Sequence, residues 1–271
     1  MIISVNEINI FCSLKIEKYN TESLNDAYSF CKKIAKSHYE NFPVGSILVP
    51  KNIANYIYSI YAFARVADDI ADEISKTNPN QSLILLKQYE NCLDNCLTEN
   101  AINNPIFLSL KDTILANNLP IDLFKKLLIA FERDINFMQA NNFDDLLDYC
   151  NYSANPIGEL ILRLFKENNE DTIFYSNKIC TALQLINFLQ DLSADLSRKR
   201  NYIPKSLLKN TQINKEIITN YIEFIEEFLN DGKNILKLVK SFRLRNELRL
   251  IILGGKIILK KIRMLAKKCL N

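Results

Sequence analysis

The amino-acid sequence predicts an all-α protein folded as a single domain over residues 1–271, with 1–20 an irregular start. Three observations carry this expectation. Apolar residues recur three and four apart along most of the chain, the period of helices with one buried face. Strand signals are weak, because isoleucine is frequent but recurs at that same helical spacing rather than in alternation. Five glycines and seven prolines leave few breaks, and no low-complexity linker or internal repeat marks a boundary. A hydrophobic content of 48% is ample for a large core.

The elements follow in order. Residues 23–36 read as a helix with Leu24, Ala27, Phe30, Cys31 and Ile34 on one side. Pro43 and Gly45 break the chain after it. Pro50 suits the first turn of a long helix over 51–75. Asn78-Pro79-Asn80 is a turn, and helices are expected at 81–98, 104–117, 121–140 and 143–151. Asn155-Pro156-Ile157-Gly158 is a kink or turn inside apolar sequence, and 170–192 form a long, mostly apolar helix. A charged segment, 194–201, is closed by Tyr202-Ile203-Pro204, and helices over 213–230 and 232–268 finish the chain. The last of these mixes Ile and Leu with Arg and Lys from 244 to 268. It reads as an ordinary helix with a solvated basic face, with contact to an anionic membrane as the alternative.

Composition narrows the function classes. A net charge of +3 carries no global nucleic-acid footprint, so no nucleic-acid partner is expected. His38 is the one histidine, which excludes HExxH and histidine-rich metal sites. The glycines at 45, 158, 232, 254 and 255 build neither GxGxxG nor GxxxxGK. Seven cysteines lack zinc-like spacing and, with no basic segment of signal-peptide type at the start, read as reduced thiols of a cytoplasmic protein. No apolar run nears the ~20 residues of a spanning helix.

The chemistry gathers on two acidic stripes. In Tyr61-Ala62-Phe63-Ala64-Arg65-Val66-Ala67-Asp68-Asp69-Ile70-Ala71-Asp72-Glu73, residues Tyr61, Arg65, Asp68 and Asp72 step by four, three and four, and so share a helical face. Their neighbours are apolar on most sides, which marks a buried helix. Carboxylates there are costly unless a cation compensates them. Gln184, Asn187, Asp191 and Asp195 repeat the pattern among leucines and Phe188. Taken singly, an acidic cluster is more often a solvated helix end. The apolar flanks and the second stripe reverse that preference. An oxygen-only donor set without His or Cys suits Mg²⁺, which binds through few carboxylates and bridges substrate phosphates. Arg65, Arg200 and Tyr202 are candidates for further phosphate contact, whereas Arg198 and Lys199 read as a solvated loop. A shared site would tie both halves of the chain into one unit. A diphosphate, Mg²⁺ and an apolar helical barrel together suggest ionisation of a prenyl diphosphate.

The stretches 61–73 and 187–204 resemble the paired signatures of the squalene/phytoene synthase family, and the resemblance runs from about residue 25 to 262. His38-Tyr-Glu-Asn-Phe-Pro-Val (38–44) and Tyr149-Cys-Asn-Tyr-Ser-Ala-Asn-Pro-Ile-Gly (149–158) look most like its hydroxysqualene synthase branch. The resemblance implies an all-α isoprenoid-synthase barrel with a central cavity. It implies Asp68, Asp72, Asp191 and Asp195 as Mg²⁺ ligands, with Asp69 and Asn187 beside them. Arg65, Arg200 and Tyr202 would contact diphosphate. His38, Asn41 and Phe42 would line the substrate region, Tyr61 would face the cavity, and Gly158 would stand where a helix opens at its wall. The implied reaction converts presqualene diphosphate to hydroxysqualene without nicotinamide. Condensation of two farnesyl diphosphates is the runner-up; a non-catalytic assembly relative and a helical scaffold are readings of other classes. Pathway enzymes and a peripheral contact at the inner face of the membrane are the partners such a resemblance would admit.

Overall fold

A computed structural model describes residues 23–37, 48–98, 104–208 and 212–269. Among these residues every regular element is helical and none is a strand. The chain divides into two compact units, Met1–Asn136 and Phe137–Asn271, each with a core of its own.

The first unit holds α1 (Leu24–Ser37), α2 (Lys51–Asp69), a π-helical turn (Ile70–Ile74), α3 (Pro79–Asn95), α4 (Pro105–Asn117) and α5 (Ile121–Ile135). The punctuation is local chemistry. Asn78 and Asn104 cap α3 and α4 by accepting from Gln81 N and Ile106 N, with a proline in the first turn each time. α1 buries Ala27, Tyr28, Cys31, Ile34 and Ala35, one face at helical spacing. That face carries small polar links: Tyr28 donates to Asp112 Oδ2 at 2.6 Å, and Ser109 Oγ lies 3.1 Å from Cys31 Sγ and 3.0 Å from Ser59 Oγ. Phe63, at the centre of α2, stacks on Tyr89 of α3 and meets Phe107 of α4 and Phe124 of α5 edge-on, with ring centroids 5.1, 6.3 and 5.5 Å away. These rings hold α2 against three neighbours and so position the acidic end of the helix.

The second unit holds α6 (Phe143–Ser153), α7 (Asn155–Leu164), α8 (Glu170–Gln190), α9 (Leu192–Ser197), α10 (Lys205–Leu208), α11 (Lys215–Gly232), α12 (Ile235–Leu238) and α13 (Phe242–Cys269). α8 is central, and α7, α11 and α13 pack on it. Close approach there uses glycine. A Cβ on Gly158 would lie 2.5 Å from Cys180 Sγ, and one on Gly232 would lie 2.7 Å from Ile179 Cγ1 and 3.1 Å from Ile179 N.

Three of the departures from the sequence expectation have a nameable reason. α5 stops at Ile135 rather than near 140. Beyond it Gln139 Nε2 donates to Ile203 O, and the carbonyls of Ala140 and Asn141 accept from Lys205 N and Ser206 N. Residues 155–158 open a full helix, α7, because Pro156 falls in its first turn, where the missing N–H costs nothing. The helix expected over 232–268 is broken at Val239. The buried Glu167 carboxylate accepts from Lys240 N and Ser241 N at 3.0 and 2.7 Å, and the Arg245 side chain donates to Val239 O. An interior break whose backbone groups are met by a carboxylate and a guanidinium is stable.

Candidate functional site

The first acidic face lies where α2 passes into the π turn. Such turns are frequent at functional sites, and this one carries Asp72. Ser82 supports it by donating to Ile70 O at 2.6 Å. Arg65 spans two of the acids, with Nη1 3.2 Å from Asp68 Oδ2 and Nη2 2.5 Å from Asp69 Oδ1. The acids differ in their surroundings. Asp69 has a side chain only 2% exposed and lies against Arg65, whereas the Asp68 side chain keeps one open edge, 38% exposed, with protein packed around the rest of it. Asp72 and Tyr61 are half-buried. Burial, then the Asp72 charge, push the Asp68 carboxyl up to about 7; Arg65 opposes this, and Asp69 and Asp134 add to it. Burial works against the Arg65 charge, but Asp68 and Asp69 outweigh it and hold the guanidinium more firmly protonated than usual. The buried Arg65 Nε has no hydrogen-bond partner among the described residues, which leaves a donor suited to an anion.

Asp134, at the end of α5, is the member that sequence reasoning missed. It acts on Asp68 from a different helix. Helical spacing reports the faces of one helix and carries no signal for that neighbour.

In the second unit the predicted stripe crosses a helix junction. α8 ends at Gln190, and Asp191 (φ −92°, ψ 6°) links it to α9. Helical hydrogen bonds continue across the join, from Asp191 N to Asn187 O at 2.9 Å and from Asp195 N to Asp191 O at 2.8 Å. Asn187, Asp191 and Asp195 therefore keep helical succession. The stripe is less enclosed than expected: Gln184, Asn187 and Asp195 are half-buried, but Asp191 is exposed. α9 closes on Lys199 in the left-handed region (φ 61°), with Arg200 N bonded to Asp195 O and Lys199 N to Leu196 O. This reversal returns Arg200 beside the backbone of Asp195. Arg198 and Lys199 are exposed, as expected of a solvated loop. The Tyr202 ring is buried, stacked on Phe188 at 3.8 Å between centroids and flanked by Phe137 and Tyr149. Its ring is thus part of an aromatic wall. His38, Asn41 and Phe42 lie outside the described residues.

The donor chemistry fits Mg²⁺ in a particular way. Among the described residues no cluster of three or more His, Cys, Asp or Glu side chains is arranged to hold a metal alone. Asp68 and Asp72 supply a pair of carboxylates, and burial together with the Asp72 charge disfavours ionised Asp68 unless a cation joins them. A carboxylate pair completed by phosphate oxygens is the usual setting of Mg²⁺.

An all-α fold carrying these acidic faces agrees with the isoprenoid-synthesising enzymes that the signatures resemble, and comparison with known proteins gives the family. The squalene/phytoene synthase profile matches residues 35–268, and the chain belongs to that family. It is 35% identical over 173 residues to the hydroxysqualene synthase of Zymomonas mobilis, a match spanning 63% of this chain and 56% of that protein. It is 30% identical over 227 residues to the hydroxysqualene synthase of Sinorhizobium fredii, spanning 79% of this chain and 76% of that one. The structure of squalene synthase HpnC from Alicyclobacillus acidocaldarius superposes with a TM-score of 0.82 at 32% identity, over 90% of this chain and 95% of that one. A dehydrosqualene synthase shares the fold at 21% identity, with a TM-score of 0.71.

Proposed function

We propose that this protein converts presqualene diphosphate to hydroxysqualene. The observation that carries the reading is the acidic face at the end of α2, where burial and then the Asp72 charge push the Asp68 carboxyl up and a bound cation would favour its ionised form. The names of the Zymomonas and Sinorhizobium relatives support the product, hydroxysqualene.

In this reading Asp68 and Asp72, and Asp191 and Asp195 with Asn187, hold Mg²⁺, which when bound neutralises charge building on the departing diphosphate. Arg65 donates to diphosphate oxygens, and Asp69 holds the Arg65 side chain in place. Arg200 adds a second cationic donor. The carbon–oxygen bond to diphosphate breaks, and the electron pair leaves with the diphosphate. The cyclopropylcarbinyl cation rearranges, and water adds to it. Loss of one proton then gives the alcohol. The carbon skeleton takes up no hydride, so no nicotinamide is required.

The name of the Alicyclobacillus relative favours a second reading, head-to-head condensation of two farnesyl diphosphates. One experiment separates the two. The protein is incubated with Mg²⁺ and either presqualene diphosphate or farnesyl diphosphate, without NADPH, and the products are identified by mass spectrometry. Hydroxysqualene from presqualene diphosphate alone is the expected result; turnover of farnesyl diphosphate supports the second reading.

A further inference from the structure

We propose that the outer face of α13 docks on an anionic lipid bilayer. Leu248, Ile252, Leu259 and Ala266 bury one side of this helix in the second unit. On the opposite side Leu250, Leu253, Ile257 and Met264 form a second apolar stripe at intervals of three, four and seven, and each is 51–59% exposed. Single exposed apolar residues are ordinary, but four in a row along one helix face mark a contact surface.

The occupant follows from what surrounds the stripe. Every exposed residue described on α13 is either apolar or basic, and no acid is among them. Arg249, Lys256 and Lys260 flank the stripe on one side, and Arg243 and Lys261 on the other. Protein interfaces are depleted in lysine, and a second copy would bring like charges together. Lysine and arginine beside an apolar stripe suit a lipid surface, where their stems lie along the acyl boundary and their heads reach anionic groups. No described helix is long and apolar enough to cross a membrane, so the helix would lie in the interface plane. The contact does not depend on which prenyl diphosphate the protein uses.

Sedimentation of the full chain with vesicles tests this, using phosphatidylcholine alone or mixed in equal parts with phosphatidylglycerol. Binding to the anionic vesicles is expected, weaker by at least about tenfold on phosphatidylcholine and reduced by salt. Replacing Leu253→Glu and Ile257→Glu together should lower binding by more than about tenfold while leaving the thermal midpoint in place. Lys256→Gln, Lys260→Gln and Lys261→Gln, at roughly fivefold each, should weaken it by about a hundredfold, and this second variant keeps the test open if the first misfolds. Failure to bind either vesicle overturns the proposal. So does binding that the substitutions leave unchanged, or their effect falling instead on a lipid-independent dimer.

Discussion

At Asp68, burial and the charges of Asp72, Asp69 and Asp134 outweigh Arg65 and push the carboxyl from an ordinary 3.8 up to about 7. Between those two values the folded protein keeps a proton that the unfolded chain has released. Metal-free stability should therefore fall as pH rises through that window and level off above it. Mg²⁺ competes with the same proton, so the thermal stabilisation it gives should grow as pH rises towards and past 7. Melting curves across a pH series, with EDTA and with Mg²⁺, check both trends; a Mg²⁺ effect independent of pH contradicts them. Asp134→Asn removes one of the charges that raise Asp68, so the same Mg²⁺ effect should develop at lower pH. Tyr61, Arg65 and Asp68 lie on α2 at the four-three spacing read from the sequence, because that spacing is a property of one helix, whereas Asp72 falls in the π turn that follows. Asp134 was not legible, because its influence depends on α5 being folded beside α2.

Among the elements, glycine use decides how two helices tolerate substitution. Alanine is favoured over glycine by about 1 kcal/mol inside a helix. At Gly254 a Cβ would meet nothing within 4 Å, so Gly254→Ala should stabilise by about that amount. At Gly232 the added methyl would press on Ile179, including its backbone nitrogen. Overpacking of this kind costs about 1–3 kcal/mol, so Gly232→Ala should be destabilising on balance, by on the order of 1 kcal/mol. Chemical denaturation of the two variants gives opposite signs if the packing is as described. Helix existence was readable from apolar period, and the start at Pro50 from its proline. The ends were harder. The reversals at Lys166 and Lys199 use a lysine where glycine is the usual signal, and the break at Val239 depends on Glu167, more than seventy residues away in sequence.

For the whole molecule, a scaffold reading and an enzyme reading separate on ligand linkage. A ligand that binds only the folded state stabilises it by about 2.7 kcal/mol at a hundred times its Kd. Mg²⁺ with inorganic diphosphate should raise the melting temperature, EDTA should remove the effect, and Asp68→Asn or Asp191→Asn should blunt it. An unchanged melting temperature would favour the scaffold. The all-α class and the family were legible because the 61–73 and 187–204 signatures are long. The stripe's exposure at Asp191 was not, since apolar neighbours in sequence do not report what the fold leaves open. The most direct measurement is product analysis of the Mg²⁺-loaded protein with presqualene diphosphate in the absence of NADPH. Hydroxysqualene is predicted, with the Asp68→Asn and Asp191→Asn variants inactive. Hydrocarbon formed from farnesyl diphosphate alone, or full activity in either variant, would contradict the account.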